Sequence, residues 1–449
     1  MPFVILPTNS ASGGYNVANS LRFNSGSSDY LSRTPASAGN RQKFTQSFWV
    51  KRGAVSGGAS FRLFTAGSDG TDSYFGNDAL VWYYYNGGYV ANYRYQNTAL
   101  FRDPSAWYHI VFALDSTQAT GSNRFKMYVN GVEGSYTATE IPQNTSVDWN
   151  NTVGNYIGRY SASASIFYDG YMAEAYNIDG QQLTASSFGE TDEDTGIWKP
   201  KAYTGSYGTN GFYLQFKNSS SLGTDSSGNG NNFTVNNLTS IDQTTDTPTN
   251  NFATLNPLIQ FYPTYISTFS NGNLDITRTD NGGGHATIMP TKGKWYAEFK
   301  CVTVGASNSA LGALPYDKIT DNEFNPENKG VAYRNNGNKY VDGTSSTYGS
   351  TYTSGDIIGI ALNLDVGECI FYKNGTAQNS GTAITGFTYD SPMAITCKGG
   401  GSGWVWSANF GNPPYSANSY TDGAGYGNFS YAVPSGYYSL NTKNLAEFG

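Results

Sequence analysis

Residues able to do acid–base chemistry are few and scattered in this 449-residue chain. The densest carboxylates lie in Glu190-Thr191-Asp192-Glu193-Asp194, where Glu190, Asp192 and Asp194 alternate. Retaining glycoside hydrolysis needs two such groups about 5–5.5 Å apart on one face of the sugar site. A strand presenting them would bury apolar residues on its other face. Here the intervening residues are polar, and Gly189 and Gly196 flank the run, so it reads as a solvated acidic turn. There are two histidines. His109, beside Trp107 in an apolar strand, reads as a hydrogen-bonded core residue. His285, at the end of Asn281-Gly282-Gly283-Gly284, reads as a loop residue. No Ser-His-Asp, Cys-His or zinc-ligand spacing occurs, so no catalytic residue is assigned and no enzyme is expected.

Two constellations suit binding. Asp225, Asn229 and Asn231 offer hard oxygen atoms in a Gly-rich turn, which leaves structural Ca2+ open as a cofactor. Their spacing is not that of a complete calcium loop, and a plain structural turn is the competing reading. The second is an aromatic hairpin, Val81-Trp82-Tyr83-Tyr84-Tyr85, turning at Asn86-Gly87-Gly88 and returning as Tyr89 to Tyr95. Sugars stack their apolar faces on such rings, so Trp82, Tyr83, Tyr84, Tyr85, Tyr93 and Tyr95 are candidate glycan or partner contacts. Strand alternation turns half of them inward. Either Tyr83 and Tyr85 or Trp82 and Tyr84 face out, and contact with a neighbouring subunit would use the same set.

The framework that must hold these residues is stated twice. Trp107-Tyr108-His109-Ile110-Val111-Phe112-Ala113-Leu114-Asp115 leads to Phe125-Lys126-Met127-Tyr128-Val129-Asn130-Gly131. Ile357 to Leu364, then Asp365, leads similarly to Cys369-Ile370-Phe371-Tyr372-Lys373-Asn374-Gly375. Each is an apolar strand, a turn opened by Asp, and a return strand ending in Asn-Gly, the pair that tolerates the positive φ of a tight reversal. Composition agrees with β-structure: 36 Tyr, 54 Gly and 13% charged residues. The length calls for two or more domains. Five segments are expected: an arm at 1–18, a sandwich at 19–217, a polar linker at 218–258, a second sandwich at 259–415 and a tail at 416–449.

A net charge of −7 argues against nucleic acid. Cys301, Cys369 and Cys397 sit in apolar strands and are expected as buried free thiols. The opening Met1-Pro2-Phe3-Val4-Ile5-Leu6-Pro7 is too short and Pro-bounded for a signal peptide, and no run is long enough to span a membrane. Synthesis in a cytoplasm without membrane insertion is expected.

Three stretches of the second half resemble the SPRY family, a concanavalin-like β-sandwich used for binding. They are Gly293-Lys294-Trp295-Tyr296-Ala297-Glu298-Phe299, Gly355-Asp356-Ile357-Ile358-Gly359 running into Phe371–Gly375, and Asn409-Phe410-Gly411-Asn412-Pro413-Pro414-Tyr415. The first half resembles a concanavalin-like lectin/glucanase or laminin-G-like domain, through Ser20-Leu21-Arg22-Phe23, Trp107-Tyr108-His109 with Tyr128–Gly131, and Tyr168-Asp169-Gly170-Tyr171-Met172-Ala173-Glu174. The implied fold class is all-β, with two concanavalin-like antiparallel β-sandwich (jelly-roll) domains in tandem. In SPRY domains variable loops at one end of the sandwich grip the ligand. That implies a contact surface at 333–352 with Arg334, Asn335, Asn336, Tyr340, Asp342 and Tyr348.

The joining segments carry a further resemblance. Asn177-Ile178-Asp179-Gly180-Gln181-Gln182-Leu183-Thr184, Asp225–Val235, Asp246–Pro257, Pro434-Ser435-Gly436-Tyr437 and Asn441–Leu445 are similar to structural proteins of marine tailed bacteriophages. This implies a virion location, as a surface appendage, head decoration, or tail fibre or spike. Implied partners are other virion proteins, further copies of this chain and a host-surface polysaccharide. The alternative, a glycan-active hydrolase with lectin-like domains, would need a signal sequence and a clustered carboxylate pair.

Overall fold

The computed structural model describes residues 14–55, 60–68, 70–85, 93–259, 267–278, 282–305, 307–319, 328–401 and 403–449. It divides into two units between Thr249 and Asn250. Each is a pair of packed sheets, as the sequence pattern predicts.

In the first unit one sheet runs, in spatial order, Val132–Glu133, Phe125–Val129, Trp107–Asp115, Lys43–Arg52, Gly170–Asp179, Ser20–Phe23 and Gln243–Thr244, with Phe212–Leu214 also paired to Gly170–Asp179. The facing sheet runs Tyr136–Thr139, Tyr93–Leu100, Ala79–Tyr84, Thr71–Gly76, Ser60–Ala66, Asn155–Ile157, Tyr30–Arg33 and Thr234–Asn236. All of these pairings are antiparallel. The core between them holds Phe48, Phe64, Trp82, Phe112, Phe125, Trp149 and Met172. Ile110, Phe112 and Leu114 point into it. Val111 is equally buried on the other face, against Tyr176, Ile178, Phe188 and Tyr213. A second apolar layer thus covers the outer side of the first sheet, which explains why the strand reads as a near-continuous apolar run. On the second sheet the outer face carries half-exposed Tyr74, Tyr83 and Tyr156 beside buried Thr65, Asp72 and Val81.

The polar stretch 218–258 is not a free linker. Leu222, Phe233 and Leu238 enter the first core, and Thr234–Asn236 and Gln243–Thr244 add a strand to each sheet. Asn250 onward belongs to the second unit. Short strands bonded through the backbone need little apolar sequence, so composition alone hides them.

The second unit pairs the sheet Thr268–Ser270, Asp275–Arg278, Trp404–Asn409, Lys294–Thr303, Ile357–Asn363, Glu368–Lys373, Thr376–Ala377 with the sheet Gly282–His285, Met393–Gly400, Ser307–Pro315, Val331–Arg334, Asn338–Val341, Thr344–Thr347. Residues 416–449 are integral to it. Tyr438–Ser439 adds a parallel strand beside Lys294–Thr303, and Thr442–Phe448 forms a helix capped by Asn441. The three cysteines are free and buried. Of the expected N-terminal arm, residues 1–13 lie outside the described residues.

The repeated hairpin has one physical explanation in both units. Asn130 and Gly131 take φ of 47° and 83°, and Asn374 and Gly375 take 49° and 79°. In each copy the Asn side chain also accepts the backbone N–H at the start of the outgoing strand, His109 or Ile357, at 2.8 Å. The Asn therefore supplies both the turn conformation and a strand cap.

Candidate functional site

The outer face of the second sheet of the first sandwich is built from strands distant in sequence. Residues directly opposite in an antiparallel pair share a face. Successive registers therefore put Thr139, Arg94, Tyr83, Asp72, Thr65, Tyr156 and Ser32 in one row across the sheet. A second row runs Thr137, Gln96, Val81, Tyr74 and Arg62. Trp82 and Tyr95, one residue out of step, fill the core.

Alternation so resolves the aromatic hairpin. Tyr83 and Tyr85 face outward and stack, with centroids 6.5 Å apart and planes 16° from parallel. Trp82, Tyr84 and Tyr95 are buried. Tyr84 donates to Ser146 O, and the Tyr95 oxygen accepts Ile141 N–H at 2.9 Å. Burial pushes the Tyr95 phenol up to about 12. Tyr93 is half-buried and stacks on Tyr84 at 6.4 Å. Of the six hairpin candidates, two present their rings outward. The proposed turn at 86–88 and Tyr89 lie outside the described residues.

Beside the tyrosine pair stand rings and guanidinium groups that the sequence reading did not single out. The Arg62 guanidinium lies over Tyr74 at 4.2 Å and over Tyr160 at 4.3 Å, and pairs with Asp72 beneath it at 2.7 Å. The Arg159 guanidinium lies over Tyr156 at 4.7 Å and Tyr30 at 5.0 Å. Such cation–π contacts hold each guanidinium against ring faces of the sheet. The adjacent Arg159-Tyr160 is visible in sequence, but its partners come from three other strands. The resulting surface alternates apolar ring faces, phenolic hydroxyls and N–H donors.

The other candidates are structural. Asp225 accepts Tyr213 N–H and Ser227 N–H on one oxygen, and Asn231 N–H and the Ser227 hydroxyl on the other. The Asn229 amide donates to Gly208 O and Gly211 O, the Asn231 amide donates to Thr209 O and Gly211 O, and Asn231 accepts from Arg33. The Asp225 and Asn231 side-chain oxygens thus accept N–H and O–H donors, the arrangement of a self-satisfied turn. Among the described residues no cluster of three or more His, Cys, Asp or Glu gathers to hold a metal ion.

Asp192 accepts Asp194 N–H, Thr195 N–H and the Thr195 hydroxyl and pairs with Lys199 at 3.0 Å, which holds its carboxyl down at about 2. Glu190 is exposed and sits 3.8 and 3.9 Å from Lys199 and Lys201. This is the Asx-turn chemistry of a loop.

His109 stacks on Trp49 at 4.9 Å and on Trp198 at 5.9 Å. Trp198 Nε1 donates to His109 Nδ1 at 3.0 Å, and Ser47 Oγ lies 2.8 Å from Nε2. An indole N–H can only donate, so Nδ1 is the acceptor and the ring proton sits on Nε2, facing Ser47. The serine therefore meets a donor rather than a base, the wrong polarity for activating a nucleophile. Burial pushes His109 down to about 3. His285 is a buried strand residue rather than a loop residue, with Nδ1 3.0 Å from Ala286 O, and burial lowers it to about 4.

In the second unit the expected loop contacts divide. Tyr348 belongs to the core and its oxygen accepts Phe371 N–H. Asp342 is a latch, accepting Gly330 N–H, Thr388 N–H and the Thr388 hydroxyl. Arg334 donates to the Tyr340 hydroxyl at 2.7 Å on the hairpin surface. Asn336 is exposed, and Asn335 is half-buried with its backbone N–H on Ser309 O.

Comparison with known proteins gives two family matches. Residues 25–186 match the concanavalin A-like lectin/glucanases superfamily, and residues 295–411 match the SPRY domain. Among solved structures the chain is similar to the SPRY domain of human HERC1, at 20% identity over 34% of this chain and 96% of that one, with a TM-score of 0.29. It is also similar to a human SPRY domain, at 18% identity over 30% of this chain and 90% of that one, with a TM-score of 0.25.

Proposed function

We propose that this chain, which joins a concanavalin A-like sandwich to a SPRY sandwich, is a non-catalytic virion surface protein that attaches a bacteriophage particle to a host-surface glycan. The observation that carries the attachment role is the outward Tyr83–Tyr85 stack, continuous with Tyr74, Tyr156 and Tyr160 on one sheet face. Ring faces stack on sugars and the surrounding polar atoms bind hydroxyls, so the face has the chemistry of a glycan platform. The virion assignment is supported by the joining segments, Asn177–Thr184 and Asp246–Pro257 among them, through their likeness to tailed-phage structural proteins. The Arg334–Tyr340 surface of the SPRY unit is left for other virion proteins, and several copies assemble on the particle.

A glycan array probed with the full chain tests the attachment role. Binding that is lost in Tyr83→Ala/Tyr85→Ala, with the melting temperature held, supports it; no glycan bound by the wild type removes it. Antibody labelling of purified particles tests location, and particles that lack the chain while the lysate contains it overturn the virion reading. Polysaccharide cleavage abolished by Glu190→Gln would replace attachment with hydrolysis.

A further inference from the structure

Among the described residues, the outer face holds three arginines, Arg62, Arg94 and Arg159, and Asp72 pairs with the first. Arg94 and Arg159 differ: neither guanidinium has a hydrogen-bond or ion-pair partner among the described residues, and Arg159 Nε is shielded from water without an acceptor. Elsewhere in the same unit most cations have a carboxylate, as in Lys51–Asp246, Arg52–Asp78, Lys43–Asp115, Arg41–Asp148, Lys126–Glu133 and Lys199–Asp192. The chain has 33 Asp and Glu against 26 Lys and Arg, so unpaired arginines gathered on one face run against its composition.

From these positions we infer that the ligand is an anionic glycan, one whose sugars carry carboxylate or sulfate groups; this rests on the glycan reading given above. A guanidinium meets a planar carboxylate or a sulfate with two hydrogen bonds, and exposed Arg94 and partly exposed Arg159, which lies over Tyr156 and Tyr30, stand on this face. Arg94 and Arg159 sit near opposite ends of the tyrosine array. Four strand spacings of ~4.8 Å separate the Tyr93–Leu100 strand from the Asn155–Ile157 strand, about 19 Å in all. That span fits a run of several sugar units rather than one. The −7 net charge repels a polyanion in general, so binding must come from this local patch.

The test is calorimetric titration of the full chain with polygalacturonate, dextran sulfate and a panel of neutral glycans, at low and at high salt. Retention of either polyanion, weakened at least about tenfold by Arg94→Gln/Arg159→Gln and by added salt, is expected. Polygalacturonate alone assigns a carboxylated ligand and dextran sulfate alone a sulfated one. Arg94→Gln changes an exposed side chain, so it gives the same readout if the double variant folds poorly. Neutral glycans bound through Tyr83 and Tyr85 without salt dependence would leave the glycan reading standing and overturn this one. Polyanion binding that the arginine variants leave unchanged would also overturn it. No glycan of any charge bound would remove both.

Discussion

Lowering the pH from 7 to 5 should destabilise the first sandwich through one side chain. His109 is buried between Trp49 and Trp198, and its folded pKa is depressed to about 3, against 6.5 for the exposed residue. The sign follows from linkage. Between these values the unfolded chain takes up a proton that the folded chain refuses, so the stability present above pH 6.5 is lost as the pH falls towards 3. At pH 5 the loss spans 1.5 pH units below the unfolded value, which at 1.36 kcal/mol per unit is about 2 kcal/mol. Glu174 and Glu298, whose carboxyls are raised by burial, act in the opposite sense, since the folded state then holds protons more tightly. A difference measurement separates them. Urea unfolding followed by tryptophan fluorescence at pH 7 and pH 5, on the wild type and His109→Gln, should give a pH-dependent loss larger by about 2 kcal/mol in the wild type. Equal pH dependence in the two proteins would refute the buried neutral imidazole and with it the donor–acceptor assignment at Ser47.

Two further changes test what pins the chain to its sheets. Lys51 and Asp246 have side chains 1% and 2% exposed and pair at 2.8 Å, with Trp107 Nε1 also donating to Asp246. Lys51→Met should cost about 3–5 kcal/mol by leaving a buried carboxylate without its cation, and adding Asp246→Leu should recover much of that; a double variant no more stable than the single one in urea would disprove it. Glu298 accepts Ser430 N–H and Tyr431 N–H, one on each oxygen, along with the Asn409 amide. Glu298→Gln leaves one of these buried donors facing an NH2 group and should cost about 1–3 kcal/mol. Limited proteolysis should then cut within 412–441 sooner than in the wild type, and an unchanged digestion pattern would count against the pinning role.

Period-two patterning and Asn-Gly pairs made the strands and both hairpins readable, because those signals are local. The parity of the aromatic hairpin was not readable, because it depends on which sheet face lies against the core. Only the pairing of Tyr83 with Asp72 and Arg94 decides that. Arg62, Tyr74, Tyr156 and Arg159 escaped notice for a related reason. They come from separate strands, and no spacing along the chain reports that Arg159 lies over Tyr30. Tyr348 misled in the other direction. Its polar neighbours suggest a surface loop, yet its hydroxyl is spent on Phe371 N–H inside the core. The polar stretch after 218 reads as a linker because Leu222, Phe233 and Leu238 are too sparse to show a period, although each is buried.

The two units solve one problem in the same way. Each has a sheet whose outer face is covered by a later segment of its own chain, and each places a buried glutamate on the long central strand beneath that cover. In the first unit Glu174 sits at a bulge in Gly170–Asp179, with φ of 51°, and accepts the hydroxyls of Tyr15, Tyr176 and Tyr213 on one oxygen. In the second, Glu298 holds Ser430 and Tyr431 over Lys294–Thr303. A carboxylate accepting several donors repays its desolvation only while all of them stay in place, so the cover and the strand are fixed together. With one sheet of the first sandwich covered in this manner, Tyr83, Tyr85, Arg94 and Arg159 stand on the opposite sheet. Antiparallel pairing there sets Tyr83 and Tyr156 in one row and Tyr74 in the next.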